Sequence, residues 1–152
     1  MADTLYDTDI LAWSETQADL LSRIARGQRV NGVDWDHVAE EIADVGISQL
    51  NAVGSLLFQM MLHLPKTHLW PEDSARMHWR IELIAFHGSA TRHYAPPMRR
   101  RLEVASDWRR ARSMLARDLA ENPAFNELPE ECPWSVDDLL NGDLDALLES
   151  LK

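Results

Sequence analysis

Apolar residues recur along this chain at intervals of three and four, the period of a helix with one covered face. Ile10, Trp13, Gln17, Leu20, Leu21 and Ile24 share such a face, and Gly27 stands where a helix-ending glycine belongs. Thr8 is the expected N-cap of this first helix, its hydroxyl satisfying a free backbone N–H, with Arg26 as the last residue. After the loop GQRVNGV, Asp34 caps a second helix with the stripe Trp35, Val38, Ile42 and Val45. Gly46 and Ser48 either end that helix or only bend it. The stripe resumes at Leu50, Val53, Leu57, Met60, Met61 and Leu64. Pro65 is expected to close it, because the residue before a proline is pushed out of helical geometry.

A third helix is expected from about Ala75 to His93, with Trp79, Leu83, Phe86 and Ala90 along one face. Pro97 suits the first turn of a fourth long helix, whose buried edge is Met98, Leu102, Ala105, Trp108, Leu115 and Leu119. Asn122-Pro123 ends it, and two short helical pieces follow, from Ser135 and from Asp143. No alternating run is long enough for a strand. The expected fold is all-α, an antiparallel helical bundle of about four long helices with a short helical C-terminal tail, forming a single helical domain over 1–152.

A chain of 152 residues that is 45% hydrophobic can bury roughly two thirds of its unfolded surface. Its one cysteine cannot form an internal disulfide. The acidic N-terminus lacks the basic and apolar segments of a secretory signal. LLFQMMLHL, 56–64, is far shorter than the ~20 apolar residues of a membrane span. These features lead us to expect a cytoplasmic protein with no membrane partner.

Charge changes the picture more. Residues 1–47 carry ten acids against Arg23, Arg26 and Arg29, a net −7; residues 76–117 carry ten arginines against three acids, a net +7. Residues 118–152 return to −9, and the whole chain is −10. A basic middle between acidic ends either attracts an anionic partner or is neutralised by the chain's own ends. Arg99, Arg100, Arg109 and Arg110 are the candidate binding residues. Nucleic acid is an unlikely partner for a chain this acidic, and no nucleic-acid reading motif is present.

Little else looks like chemistry. G-x-S-x-G, phosphate-binding glycine loops, H-E-x-x-H and dinucleotide fingerprints are absent. Bundle metal centres use carboxylates and histidines from facing helices. DHVAEEIAD, 36–44, supplies Glu40 and Glu41 beside His37, and His78 with Glu82 repeats the i, i+4 spacing. Glu40, Glu41, His63 and His78 are therefore the candidate ligands for a divalent metal. On a continuous helix, Glu41 and His63 would stand roughly 33 Å apart. The simpler role for the acids is to face arginines. Cys132, in LPEECPWSVDDLL at 128–140, lies beside Glu130 and Glu131 and before the Ser135 cap. Neither position lowers a thiol pKa, so Cys132, Pro133 and Trp134 are expected to be structural anchors, with Trp13 and Trp79.

LYDTDILAWSETQADLL at 5–21, DWDHVAEEIADVGIS at 34–48 and PEECPWSVDDLL at 129–140 together resemble the bacterial family called domain of unknown function 29. HLPKTHLWP at 63–71 and Trp79 are similar to its central segment. The resemblance covers nearly the whole chain and implies one compact helical domain. It marks Asp7, Asp9, Trp13, Glu40, Glu41, Gly46, His63, Pro71, Trp79, Cys132 and Pro133 as matching the family pattern. His37, Pro65, Thr67 and His68 depart from it, the family more often showing Asn, Leu, Trp and a basic residue there. The family brings no established activity. The expected role is a non-catalytic binding or adaptor protein working through protein–protein contacts, with an unidentified protein partner or as a homo-oligomer, and with no cofactor. A metal-dependent enzyme in the bundle core and nucleic-acid contact through the arginines are the alternatives.

Overall fold

The structure, a computed structural model, describes residues 4–70 and 72–152. Its described residues are helical or irregular, with no strand, and the fold is all-α with four long helices and a short helical tail. The chain divides into two compact units, Met1–Ile47 and Ser48–Lys152.

In the first unit the expected opening helix is two helices, α1 (Leu5–Thr8) and α2 (Ile10–Ala25). Thr8 is not the cap, because its hydroxyl donates back to the Thr4 carbonyl at 3.0 Å. Thr4 caps α1 in a reciprocal box with Asp7. Asp9, held outside helical geometry at φ −151°, caps α2 by accepting from the Ala12 N–H at 3.0 Å. At the other end Gly27 has φ +80°, and the Gln28 N–H reaches the Arg23 carbonyl at 3.0 Å. That is a Schellman ending, which a residue with a side chain adopts at a steric cost. The next helix, α3 (Trp35–Leu69), begins right after Asp34, as expected.

α3 is 35 residues long and runs through Gly46 without a break. Pro65 does not close it. The proline removes one backbone N–H and crowds the Met61 carbonyl, but it is fully buried in the second unit's core, as are Met61 and Leu64 beside it. Packing on both sides of the defect holds the last turn in place. α3 contains no Asp, Glu, Lys or Arg from Val45 to Pro65, and by length and composition it is apolar enough to cross a membrane. The short run at 56–64 understated that. Val53, Leu57, Met60, Met61 and Leu64 are nevertheless packed into the second unit's core.

α4 (Asp73–His93) places Leu83 and Ala90 in the same core. The expected fourth long helix is also divided. Pro96–Arg101 forms a 3-10 turn, the chain extends at Leu102 and Glu103, and α5 (Val104–Asp118) follows. The break is driven by Leu102, which packs against the core from extended geometry. Arg99 and Arg100 thus lie on the turn, Arg109 and Arg110 on α5. A second 3-10 turn, Pro123–Glu127, was not foreseen; Asn122 caps it and donates to the Leu69 carbonyl at 2.8 Å. The tail forms α6 (Val136–Asn141), capped by the Ser135–Asp138 box, and α7 (Leu144–Glu149), capped by Asp143. Leu139, Leu147 and Leu151 close the core.

Candidate functional site

In the first unit, polar and aromatic side chains gather around the start of α3. The Trp13 indole N–H donates to Asp34 Oδ2 at 3.1 Å, and His37 Nδ1 meets the same oxygen at 2.7 Å. Buried Gln17 accepts from the Asp34 backbone N–H at 2.9 Å. The Tyr6 ring stacks on His37 with centroids 3.9 Å apart, and its hydroxyl donates to Glu41 Oε1 at 2.7 Å. The contact with His37, supported by Trp13, holds the Asp34 carboxyl below its ordinary range, and Asp34 raises His37. By accepting the phenol's hydrogen bond, Glu41 pushes the Tyr6 hydroxyl up to about 12. Asp34 thus fixes the orientation of an imidazole, as carboxylates do for histidines in enzymes and metal sites. Here no nucleophile shares a hydrogen bond with that ring among the described residues. Glu40 is exposed, and Glu41 is engaged by Tyr6.

The second unit holds His63 and His78. His63 is 7% exposed; its Nδ1 faces the Gln59 carbonyl at 2.8 Å and its Nε2 faces Glu82 Oε2 at 2.7 Å. His78, on the exposed side, approaches the other carboxylate oxygen of Glu82 at 3.6 Å. The carboxylate therefore stands between the two imidazoles, and both ring nitrogens of His63 are already engaged. No three or more His, Cys, Asp or Glu side chains converge in a metal-holding arrangement among the described residues. His63 lies edge-on to Trp79 and Phe86, with centroids 5.3 and 5.0 Å away, and Lys66 Nζ sits 4.7 Å from the Trp79 ring centre. Sequence reasoning did not pair His63 with Glu82, since nothing in the spacing of two different helices fixes their register.

The Cys132 segment packs on α5. The Trp108 indole donates to the Pro129 carbonyl at 3.1 Å and meets Trp134 edge-on at 5.1 Å, while the Trp134 indole donates to Ser150 Oγ at 2.7 Å. The Cys132 thiol donates to the Trp134 carbonyl at 3.3 Å. Burial pushes that thiol up, away from the thiolate a nucleophile needs. An open cleft of about 880 Å³ beside it is lined by Ser106, Arg109, Glu131, Cys132 and Trp134, among others. The remaining arginines are partly neutralised by the acidic tail. Arg99 pairs with Asp137 at 2.8 Å and Arg80 with Asp145 at 2.8 Å. Arg110 lies over the Phe58 ring at 4.0 Å and pairs with Asp107 at 3.4 Å, while Arg100 stays exposed on its turn.

Periodicity placed Trp35, Ile42 and Val45 on a covered face, and it assigned Met77, Ile81 and Ile84 to none. Trp35, Ile42 and Val45 are 59, 68 and 65% exposed, and Met77, Ile81 and Ile84 of α4 are 60, 61 and 52% exposed. The second trio carries its own signal, at spacings of four and three, on a helix already apolar along Trp79, Leu83, Phe86 and Ala90.

This is an all-α protein whose polar clusters tie helices together and whose apolar surplus lies outside. The chain belongs to the family described as domain of unknown function DUF29, which matches residues 5–144. It is similar to a crystallographically solved alpha-helical protein of unknown function from Rhodospirillum rubrum ATCC 11170, with 31% identity, a TM-score of 0.67 and coverage of 98% of each chain. No protein of curated function matches it.

Proposed function

We propose that the protein is a non-catalytic cytoplasmic binding protein, whose first unit docks a basic amphipathic helix of a partner protein. The observation that supports this reading is the exposure of Trp35, Ile42 and Val45 on α3, on either side of buried Val38. Exposed Ala39 lies beside it and leaves room for close backbone approach. An apolar helix face is a common seat for an amphipathic helix, and aromatic anchors such as Trp35 dominate such contacts. The net charge of −7 over residues 1–47, with exposed Asp36, Glu40 and Asp44 on the same helix, selects a positively charged occupant.

A photo-crosslinking residue at position 42, used in cells, tests this. The expected result is one discrete protein adduct through a Lys- and Arg-rich helix, lost on Trp35→Glu and weakened by salt in the purified pair. Adducts scattered over many proteins, to lipid, to nucleic acid, or to a segment without basic charge would overturn it.

A further inference from the structure

We infer that the outer face of α4 joins two copies of this chain as an antiparallel helix pair about a two-fold axis, a contact separate from the proposed partner site on α3. The inner face of α4, with Leu83 and Ala90, is in the core, yet Met77, Ile81 and Ile84 stand exposed on the opposite side. The positions 73, 77, 81 and 84, 88, 92 form two ridges of i, i+4 spacing on that outer face. Ridges of this spacing interlock when helices cross at about −50°.

In a two-fold antiparallel pair centred between residues 82 and 83, the two ridges meet each other. Ile81 then faces Ile84 of the second copy, Met77 faces Gly88, and Asp73 faces Arg92. Each match is complementary. The isoleucines are equal in size, and the long Met77 side chain meets a residue with none. The charges are opposite at both ends, and the two-fold axis repeats every pair, as an isologous contact requires.

Gly88 is otherwise unexplained. It lies inside a 21-residue helix, where glycine costs about 1 kcal/mol against alanine. A Cβ there would meet nothing within 4 Å of its own chain. The space above it is open to a side chain from outside the molecule. The arginines of the helix also differ. Arg80 is engaged by Asp145, and Asp73 contacts Arg76 of its own helix through Oδ1 alone, whereas no ion pair among the described residues engages Arg92 on the last turn. A crossed pair of single helices buries less than the roughly 800 Å² per partner of a standard interface, so the dissociation constant is expected on the order of micromolar.

Sedimentation velocity on the full chain over a range of concentrations is the test. The wild type is expected to be a reversible dimer, and Ile81→Glu a monomer throughout with an unchanged helical spectrum. Gly88→Met should abolish the dimer by filling the recess while raising the monomer's Tm. Arg92→Asp should weaken association roughly 10-fold or more, and the double reversal Asp73→Arg with Arg92→Asp should restore it. The helix dipole alone predicts the opposite for the double variant, since it places a cation at the N-terminus and an anion at the C-terminus. A wild type that stays monomeric at every concentration, a dimer that survives Ile81→Glu, or a double reversal no better than the single one would overturn the pairing. A dimer lost instead on Ile42→Glu would do the same.

Discussion

The two units share one helix and are held together in different ways. Among the described residues, Ser48–Lys152 buries 19 apolar side chains in a continuous cluster, including all of Trp108, Leu83 and Leu139. In Met1–Ile47 the only buried apolar residues among those described are Trp13 and Val38, and the cohesion comes from Asp34, Gln17, His37, Tyr6 and Glu41. Apolar burial involves no titrating group and is insensitive to pH. A hydrogen-bonded cluster depends on geometry and on protonation at each member. The second unit is therefore a stable scaffold, and the first unit can be loosened by conditions that leave the second intact.

The largest expected effect tests the scaffold. Trp108→Ala removes a fully buried indole, its bond to Pro129 and its contact with Trp134, and should cost the second unit about 3–5 kcal/mol in urea unfolding. A loss near zero would mean that this unit does not depend on its core.

Asp34→Ala should have a smaller and more local effect. It leaves the Trp13 indole N–H and His37 without their shared acceptor at the start of α3. Hydrogen exchange should speed up over residues 5–45 and stay unchanged at Leu83 and Leu115. Equal acceleration in both units would erase the distinction.

The smallest effect is on pH dependence. His37 is raised above its ordinary 6.5, so its contribution is complete below 6.5 and is lost as pH climbs through the higher folded value. Asp34 is lowered below its ordinary 3.8, so its contribution is present above 3.8 and is lost as pH falls through the lower folded value. The first unit should thus be most protected between about pH 3.8 and 6.5, with Tyr6 ionising near 12 rather than 10.0. An NMR titration of His37 with a midpoint at or below 6.5 would contradict the Asp34 pairing.

Helix existence and most caps were legible in the sequence because they are local. Ser135, Asp143 and Gly27 act within a few residues of their own position, and each stands where its chemistry predicts. Thr8 failed for an equally local reason that is harder to see, the competing acceptor at Thr4. Pro65 and the break before α5 depend on burial of Pro65 and Leu102, which is tertiary information. The stripes taught the most. Periodicity shows that Trp35, Ile42 and Val45 share a face, but not whether anything covers it. The His63–Glu82 contact lay beyond reach, because a single sequence fixes no register between α3 and α4.

The burial of Leu151 in the core has a consequence for how the protein is made. The apolar half of α3 is complete once Pro65 has been added, whereas the core that covers it needs Leu147 and Leu151. At roughly 5–20 residues per second, ribosomes take about 4–17 s to cross that interval. Until then a segment without an acid or base from Val45 to Pro65 lacks the part of its cover that Leu147 and Leu151 supply.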